Sequence, residues 1–444
     1  MVSKIVQSLV GRIVKKSNAY HPRSRLPIAC MVFALVAAVS CRRTGTPQDE
    51  LGAQIVDPIH SPPSSSSALP GKLDPRKAVN AVEAGLVADS DEDQGKQLAD
   101  LISKTAADPD RDTVYVPEGS YRIAEAIRLR PGVNLVGDGM GRTVFYRDDS
   151  KNYLVKSAGN GDFGKALVAN LSFRNQHRTL LMRDVHHLRF HNVEFEGGIV
   201  RFEEASHITI EGCYFNRNLG KGGYASSNCK NIRIVKNVFN SIEKGSINLS
   251  GHVDCYVASN RITSAKLIDS GYAGIRLPNS AKNNIIENNF IENHGRGLFI
   301  LSSSVNNVLQ NNTVKNTTYQ GVLIQASNNV LAGNTIMDAG GEAIYVVNAT
   351  ADSSPTPSVA DNNSILGNLI YDTRKHDASR FVGLQISSRN NIVKGNRVSL
   401  TYGREFKAIR GGAGNQDIDN VYSREVGRQK AEERLRNSAQ QTGH

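Results

Sequence analysis

The strongest constraint on this chain is a short phrase that it repeats nine times: an apolar residue, one or two fillers, Asn, one more residue and an apolar residue. The phrases read LVANLSF, FHNVEF, IVKNVF, YVASNRI, IIENNFI, VLQNNTV, VLAGNTI, ILGNLI and IVKGNRV. Their asparagines are Asn170, Asn192, Asn237, Asn260, Asn289, Asn312, Asn334, Asn368 and Asn396. A tenth phrase, IEGCYF, places Cys213 where Asn would fall. Counting Cys213, successive steps are 22, 21, 24, 23, 29, 23, 22, 34 and 28 residues. A repeat of this length marks a stack of like supersecondary units.

Between the asparagines lie short runs of Val, Ile and Phe broken by Asn, Gly and Ser. This is strand-and-turn grammar, not helical periodicity. Asn tolerates left-handed backbone angles. In a stack its amide also reaches the identical amide one coil above, which satisfies the polar groups of a buried turn. The expected fold is all-β: a single-stranded right-handed parallel β-helix whose coils rise by about 4.8 Å. Its core is a column of Val, Ile, Leu and Phe.

A second signature is VYVPEGSYRIAEAIRLRPGVNLVGDGMGRTVFYRD, starting at Val114, preceded by DSDEDQGKQLADLISKTA. With the Asn-rich repeats, it resembles the pectate-lyase-like β-helix superfamily over roughly residues 88–420. The resemblance implies that the upstream segment is an N-terminal capping helix, since terminal coils must shield an open core. It implies the fold more than the activity, because this fold carries lyases, hydrolases, epimerases, phage spikes and binding proteins.

The front of the chain reads as a targeting segment. Lys4, Arg12, Lys15, Lys16, Arg23 and Arg25 precede the apolar stretch IACMVFALVAAVS, and no acid interrupts residues 1–40. The stretch is short for a membrane span and fits the apolar part of an export signal. Ala38-Val39-Ser40-Cys41 resembles a bacterial lipoprotein cleavage site with Cys41 as the lipidated residue. A plain secretory signal and a retained anchor are the alternatives. Residues 41–80 read as a Pro/Ser-rich linker, residues 81–422 as the β-helix and residues 423–444 as a charged helix or tail. The expected location is the cell envelope, through a lipid anchor in the membrane, or outside the cell.

The formal charge is +11, and removing the six cations of residues 1–40 leaves +5. That balance does not argue for nucleic acid and permits an acidic polymer. Cys213, Cys229 and Cys255 sit in consecutive coils without a C-x-x-C, so they read as buried thiols, with a Cys213–Cys229 disulfide as the alternative. No cofactor is evident. Calcium is compatible with the superfamily, but no dense Asp cluster supports it, and no other metal is expected.

A further strand follows each Asn strand, usually opened by Gly: KGSINLS, AGIRLPNS, RGLFILSS, QGVLIQAS, GEAIYVVN and VGLQISS. Alternation turns Asn248, Arg276, Phe299, Leu323, Tyr345 and Gln385 outward in one column. Three insertions, ITSAKLIDSGY, YDTRKHDASRF and NATADSSPTPSVADN, are expected to border it. The polar residues converging there include Lys244, His252, Lys266, Asp269, Tyr272, His294, Arg296, Tyr319 and Glu342.

This pattern suits an enzyme acting on an acidic polysaccharide by β-elimination or C5 epimerisation. Removing the proton beside a uronate carboxylate requires neutralising the enolate that forms. Arg276, His294, Lys244 and Tyr272 are the catalytic candidates: Arg276, with Arg296 or Lys244, for the carboxylate, and a lysine, His294 or Tyr272 for proton transfer. Arg296, Asn248, Phe299, Tyr319, Tyr345 and Gln385 are the candidates for binding substrate. A glycan- or partner-binding protein without catalysis is the first alternative. A glycoside hydrolase is the second, through Asp269 and Glu342, since the adjacent pair Asp148-Asp149 lies far upstream.

Overall fold

Three-to-five-residue apolar runs cannot make helices, but they make rungs when each pairs with its counterpart one repeat later. The computed structural model describes residues 74–148, 151–216, 222–351, 356–372, 382–400, 405–409 and 414–423. The leader, Cys41, most of the linker, Asp149, most of the YDTRKHDASRF insertion and the C-terminal tail lie outside the described residues. The described chain is an all-β, right-handed parallel solenoid of about 12 turns with very little helix. A typical coil contributes Ile285–Glu287, Phe290–His294 and Arg296–Ile300. Each strand pairs in parallel with the next coil, as in Ile286↔Leu309, Ile291↔Val314 and Leu298↔Val322. The first rung is Ala78–Asn80, paired with Thr113–Tyr115, so the solenoid begins slightly before the expected residue 81.

In-register pairing stacks like on like. Ile234, Val257, Ile286, Leu309, Leu331, Ile365 and Val393 form one fully buried column. Phe145, Phe173, Phe195, Phe215 and Phe239 form a second, with centroids 5.8, 6.1, 5.0 and 4.2 Å apart. Each such side chain contributes about 1.5–3 kcal/mol by burial. The helix α1, Gly95–Ala107, buries Leu98, Leu101 and Ile102 against the first coils, at Thr113–Val116 and Ile127–Leu129.

The repeated Asn acts mainly through its side chain. From Asn237 onward, the residue before it takes the left-handed backbone: Lys236, Ser259, Asn288 and Asn311 have φ of 56°, 55°, 54° and 53°. The Asn itself is buried. Asn237, Asn260, Asn289, Asn312, Asn334, Asn368 and Asn396 each donate amide to amide to the next, ending on Asn420 Oδ1, at 2.8–3.0 Å. Asn170 and Asn192 are the exception, adopting φ of 54° and 53° themselves. A second ladder, unread in the sequence, links Asn284, Asn307 and Asn329 through their side-chain amides. It continues to Asn363 and Asn391 through backbone N–H donors. Cys213 and Cys255 sit at the lower ends, each donating its backbone N–H to the first Asn above. Cys213, Cys229 and Cys255 are free and buried, not joined in a disulfide, and burial pushes each thiol up to about 12.

Candidate functional site

The outward column lies on six strands: β1 (Ile247–Ser250), β2 (Ala273–Leu277), β3 (Arg296–Ile300), β4 (Val322–Ile324), β5 (Ile344–Val346) and β6 (Val382–Ile386). Register runs Asn248↔Arg276↔Phe299↔Leu323↔Tyr345↔Gln385. Ile275, Leu277, Leu298 and Ile300 point into the core, which forces their alternate neighbours outward. Gly274 is required where β2 begins, because a Cβ there would sit 2.6 Å from Ile291 Cγ2.

Five side chains interleave over this face. Arg276 Cζ lies 5.5 Å from the Tyr272 ring and 5.6 Å from the Phe299 ring. Arg296 Cζ lies 5.4 Å from Phe299 and 5.1 Å from Tyr319. Aromatic and guanidinium layers therefore alternate: Tyr272, Arg276, Phe299, Arg296, Tyr319. Cation–π attraction holds each layer, worth about 0.5–2 kcal/mol apiece. Neither arginine has a carboxylate partner among the described residues. Arg296 donates instead to neutral acceptors, Nε to Gln320 Oε1 at 2.7 Å and a terminal nitrogen to the Gly271 carbonyl. Burial lowers the pKa of both guanidinium groups, and the Arg276 charge adds to the effect on Arg296. Arg276 Nε and the neighbouring Asn248 Oδ1 are buried without hydrogen-bond partners among the described residues. Two like charges, partly desolvated, with Glu342 acting on Arg296 only from across Gln320, favour an anion between or above them.

The ITSAKLIDSGY insertion borders this cluster, as expected. Ile268 N–H donates to the Asn293 carbonyl at 3.1 Å, Thr318 Oγ1 to the Ile268 carbonyl at 2.7 Å, and Tyr319 Oη to Asp269 Oδ1 at 2.8 Å. Gly295 permits this close seat, since a Cβ there would collide with the Ser270 carbonyl. The third insertion closes the opposite strand ends. Ser302 Oγ and Thr356 Oγ1 lie 2.6 Å apart, and Ser327 Oγ donates to the Val359 carbonyl at 2.6 Å.

Several candidates need correction. His294 was expected beside the substrate as a proton-transfer group; it ends a strand and points inward, 1 % exposed. Gly295 N–H donates to its Nδ1, so its proton sits on Nε2, facing Ser246 Oγ at 3.4 Å. Burial lowers its pKa to about 4, and a neutral interior ring has no route to a sugar. His252 is likewise buried, against Tyr224 Oη at 3.1 Å. Phe299 is not an open stacking platform: with Leu323, Leu301 and Ala273 it forms a small apolar cluster outside the main core, covered by the two guanidinium groups. Tyr345 packs against this cluster, while Tyr272 and Tyr319 remain 41 % and 38 % exposed. Gln385 is half-buried two rungs beyond Leu323. Lys244 is exposed beside Gly245, whose Cβ position lies 3.7 Å from the Tyr272 ring. Lys266, on the insertion, is also exposed.

Gln320 was missed. Its amide accepts from Arg296 and donates to Glu342 Oε2 at 2.8 Å, so it spaces a cation from a carboxylate. The available signal was positional: Arg296 and Gln320 both precede a strand-opening Gly.

Residues 78–351 match the family model described as rhamnogalacturonase A/epimerase, pectate lyase-like. The chain belongs to this family. Among solved structures, this pectate-lyase-like chain is similar to the mannuronan C-5 epimerase AlgE4 A-module of Azotobacter vinelandii. The two share 19 % identity and a TM-score of 0.55 over 78 % of this chain and 95 % of that one. It is also similar to the family 28 exopolygalacturonase of Yersinia enterocolitica, with 10 % identity and a TM-score of 0.55 over 77 % and 78 %. Dettilon tailspike protein gives 13 % identity and a TM-score of 0.53 over 78 % and 68 %. At these identities the likeness speaks for the fold. Comparison with curated protein sequences gives no significant match.

Proposed function

We propose that this pectate-lyase-like protein acts on an acidic polysaccharide, by β-elimination or C5 epimerisation, at the Arg276–Arg296 cluster. The observation that carries the reading is a pair of partly buried arginines with no carboxylate of their own, layered among Tyr272, Phe299 and Tyr319. Membership of a family described by polysaccharide-active enzymes supports the polymer. Neighbours named as a mannuronan epimerase and a polygalacturonase support a uronate.

In this reading the guanidinium groups bind the uronate carboxylate and take up the charge that develops when the C5 proton leaves. With His294 enclosed, Lys244 and Tyr272 are the proton-transfer groups, since both are exposed next to the cluster. Elimination expels the 4-linked oxygen as the base takes the C5 proton; epimerisation returns a proton to the opposite face. An exported location belongs to the same proposal and rests on the basic-then-apolar leader and Cys41.

The test is incubation with pectate, alginate and glycosaminoglycans in deuterated water. An ultraviolet-absorbing unsaturated product identifies the lyase, and deuterium at C5 without chain cleavage identifies the epimerase. New reducing ends without that absorbance would replace the proposal with hydrolysis. Binding without any of these products would leave a non-catalytic glycan-binding protein.

A further inference from the structure

We propose a second catalytic site, a Ser206–His186–Asp184 triad that hydrolyses short acyl esters carried on a sugar chain. The triad stands on its own geometry; the sugar chain rests on the polysaccharide reading above. The three residues lie outside the outward column, at the corner that follows the long strands Leu167–Arg183 and Arg189–Glu203. Backbone register brings them together, because His186 pairs with Ser206, and Ser206 with Lys230, in parallel bridges. Such pairing sets the residues about 4.8 Å apart. Val185 and Ala205 point inward, so His186 and Ser206, each the next residue, point out.

The hydrogen bonds here run in one direction. Asn231 Nδ2 lies 3.1 Å from His207 Nε2, and an amide nitrogen can only donate. His207 therefore keeps its proton on Nδ1, which donates to Ser206 Oγ at 3.1 Å. The Ser206 proton is left for His186 Nδ1, at 2.9 Å. His186 then carries its own proton on Nε2, which faces Asp184 Oδ1 at 3.5 Å. A hydroxyl, a base and an orienting carboxylate thus stand in the order that acyl transfer needs. Burial first, then His187, His186 and Lys230, lower the His207 pKa, which keeps that ring neutral at pH 7. His187 braces it: the two rings stack with centroids 4.7 Å apart, and His187 Nδ1 lies 3.0 Å from Asp162 Oδ1. Ser206 and His186 are half-buried and His207 is exposed, so the corner presents a surface. A surface suits a short acyl group, such as acetyl, on a polymer too large to enter a cavity. The Val200 rung of this coil lies three rungs from Ile275, through Tyr224 and Ile247, roughly 14 Å along the axis from the Arg276 cluster.

In the reaction, His186 Nδ1 takes the Ser206 proton as Oγ bonds to the ester carbonyl carbon. The ester C–O bond breaks, and that proton passes to the departing sugar oxygen. Water then attacks the acyl-serine and gives a proton to His186. The C–Oγ bond breaks, the proton returns to Oγ, and the carboxylic acid leaves. His207 Nδ1–H donates to the charge that develops beside Oγ.

The experiment treats the full-length chain with a fluorophosphonate probe and locates the labelled residue by peptide mass spectrometry. In parallel it follows hydrolysis of p-nitrophenyl acetate and acetate release from acetylated pectin and acetylated alginate. Circular dichroism checks the fold of each variant. Labelling is expected at Ser206, absent in Ser206→Ala and slower by about 10²-fold or more in His186→Ala. Wild type should also release acetate from an acetylated polymer, and Ser206→Ala should not. No label at Ser206, or equal p-nitrophenyl acetate hydrolysis by wild type and Ser206→Ala, would overturn the triad and reduce its contacts to structural hydrogen bonds, leaving the Arg276–Arg296 reading untouched. Label at Ser206 and Ser206-dependent hydrolysis of p-nitrophenyl acetate, without acetate from either polymer, would overturn the sugar-borne substrate while the triad stands.

Discussion

Adjacent asparagines in one phrase do different work, and substitution separates them. Asn311 supplies a left-handed backbone (φ 53°) and is exposed, whereas Asn312 is buried and bonded to the coils on both sides. Asn311→Gly should change stability by no more than a few tenths of a kcal/mol, because Gly takes positive φ freely. Asn312→Gly leaves the Asn289 backbone N–H without its acceptor and the Ile286 carbonyl without its side-chain donor, removes one bond each from the Asn289 and Asn334 amides, and should cost about 2–4 kcal/mol. Chemical denaturation reads both. The buried histidines set a pH dependence. Burial lowers His252 and His294 from 6.5 to about 4, so the unfolded chain binds protons that the folded one refuses. Their contribution is fully present above pH 6.5 and is lost as pH falls towards 4, by about 3 kcal/mol each. Melting curves across that window should flatten in His294→Asn relative to wild type. If the site acts as proposed, Arg276→Ala should lower kcat/KM by about 10²–10³, with a loss of stability no larger than its two cation–π contacts, about 1–4 kcal/mol, so that the variant stays folded at the assay temperature. Full activity in that variant would remove the arginine pair from the chemistry.

The decisive element around the site is the 262–272 excursion. It has no regular structure across residues 264–271 and is held by a few hydrogen bonds, to Asn293, Thr318, Tyr319 and Arg296. Gly295 leaves room for it, and Gly295→Val should push it off its seat without disturbing the core strands. Hydrogen exchange would then quicken across residues 264–272 and stay slow in Phe290–Ile300; protection unchanged in the loop would show that this seat does not hold it. The insertion was legible as an overlong interval, 14 residues from Asn260 to Gly274 against eight from Asn289 to Gly297. Its destination was legible too, since inserts on a solenoid leave at a fixed corner. Its pinning to Tyr319, two coils away in hydrogen-bonded register, was not.

At the scale of the molecule, stability accumulates between neighbouring coils and the ends are the weak points. Helix α1 covers the lower end with Leu98, Leu101 and Ile102. Leu98→Asp with Ile102→Asp should uncover the first rungs, lower the melting temperature and promote end-to-end association through exposed strand edges. Sedimentation velocity would detect it. A variant that stays monomeric and equally stable would deny α1 its capping role.

The sequence by itself determined the solenoid, its coil length, its cap and the outward column, because parallel stacking converts one period into both core and register. Arg276 was legible for the same reason: alternation between Ile275 and Leu277 leaves it one direction. His294 was not, because it lies at the end of its strand near a corner, where the two-residue alternation stops predicting direction. Nor could the sequence show that Phe299 is roofed by Arg276 and Arg296, or that Gln320 stands between Arg296 and Glu342. Those facts depend on where long side chains lie down across neighbouring rungs. Tertiary structure decided them, since a side chain with several rotatable bonds takes its direction from whatever desolvated surface and hydrogen-bond partner the next coil happens to offer.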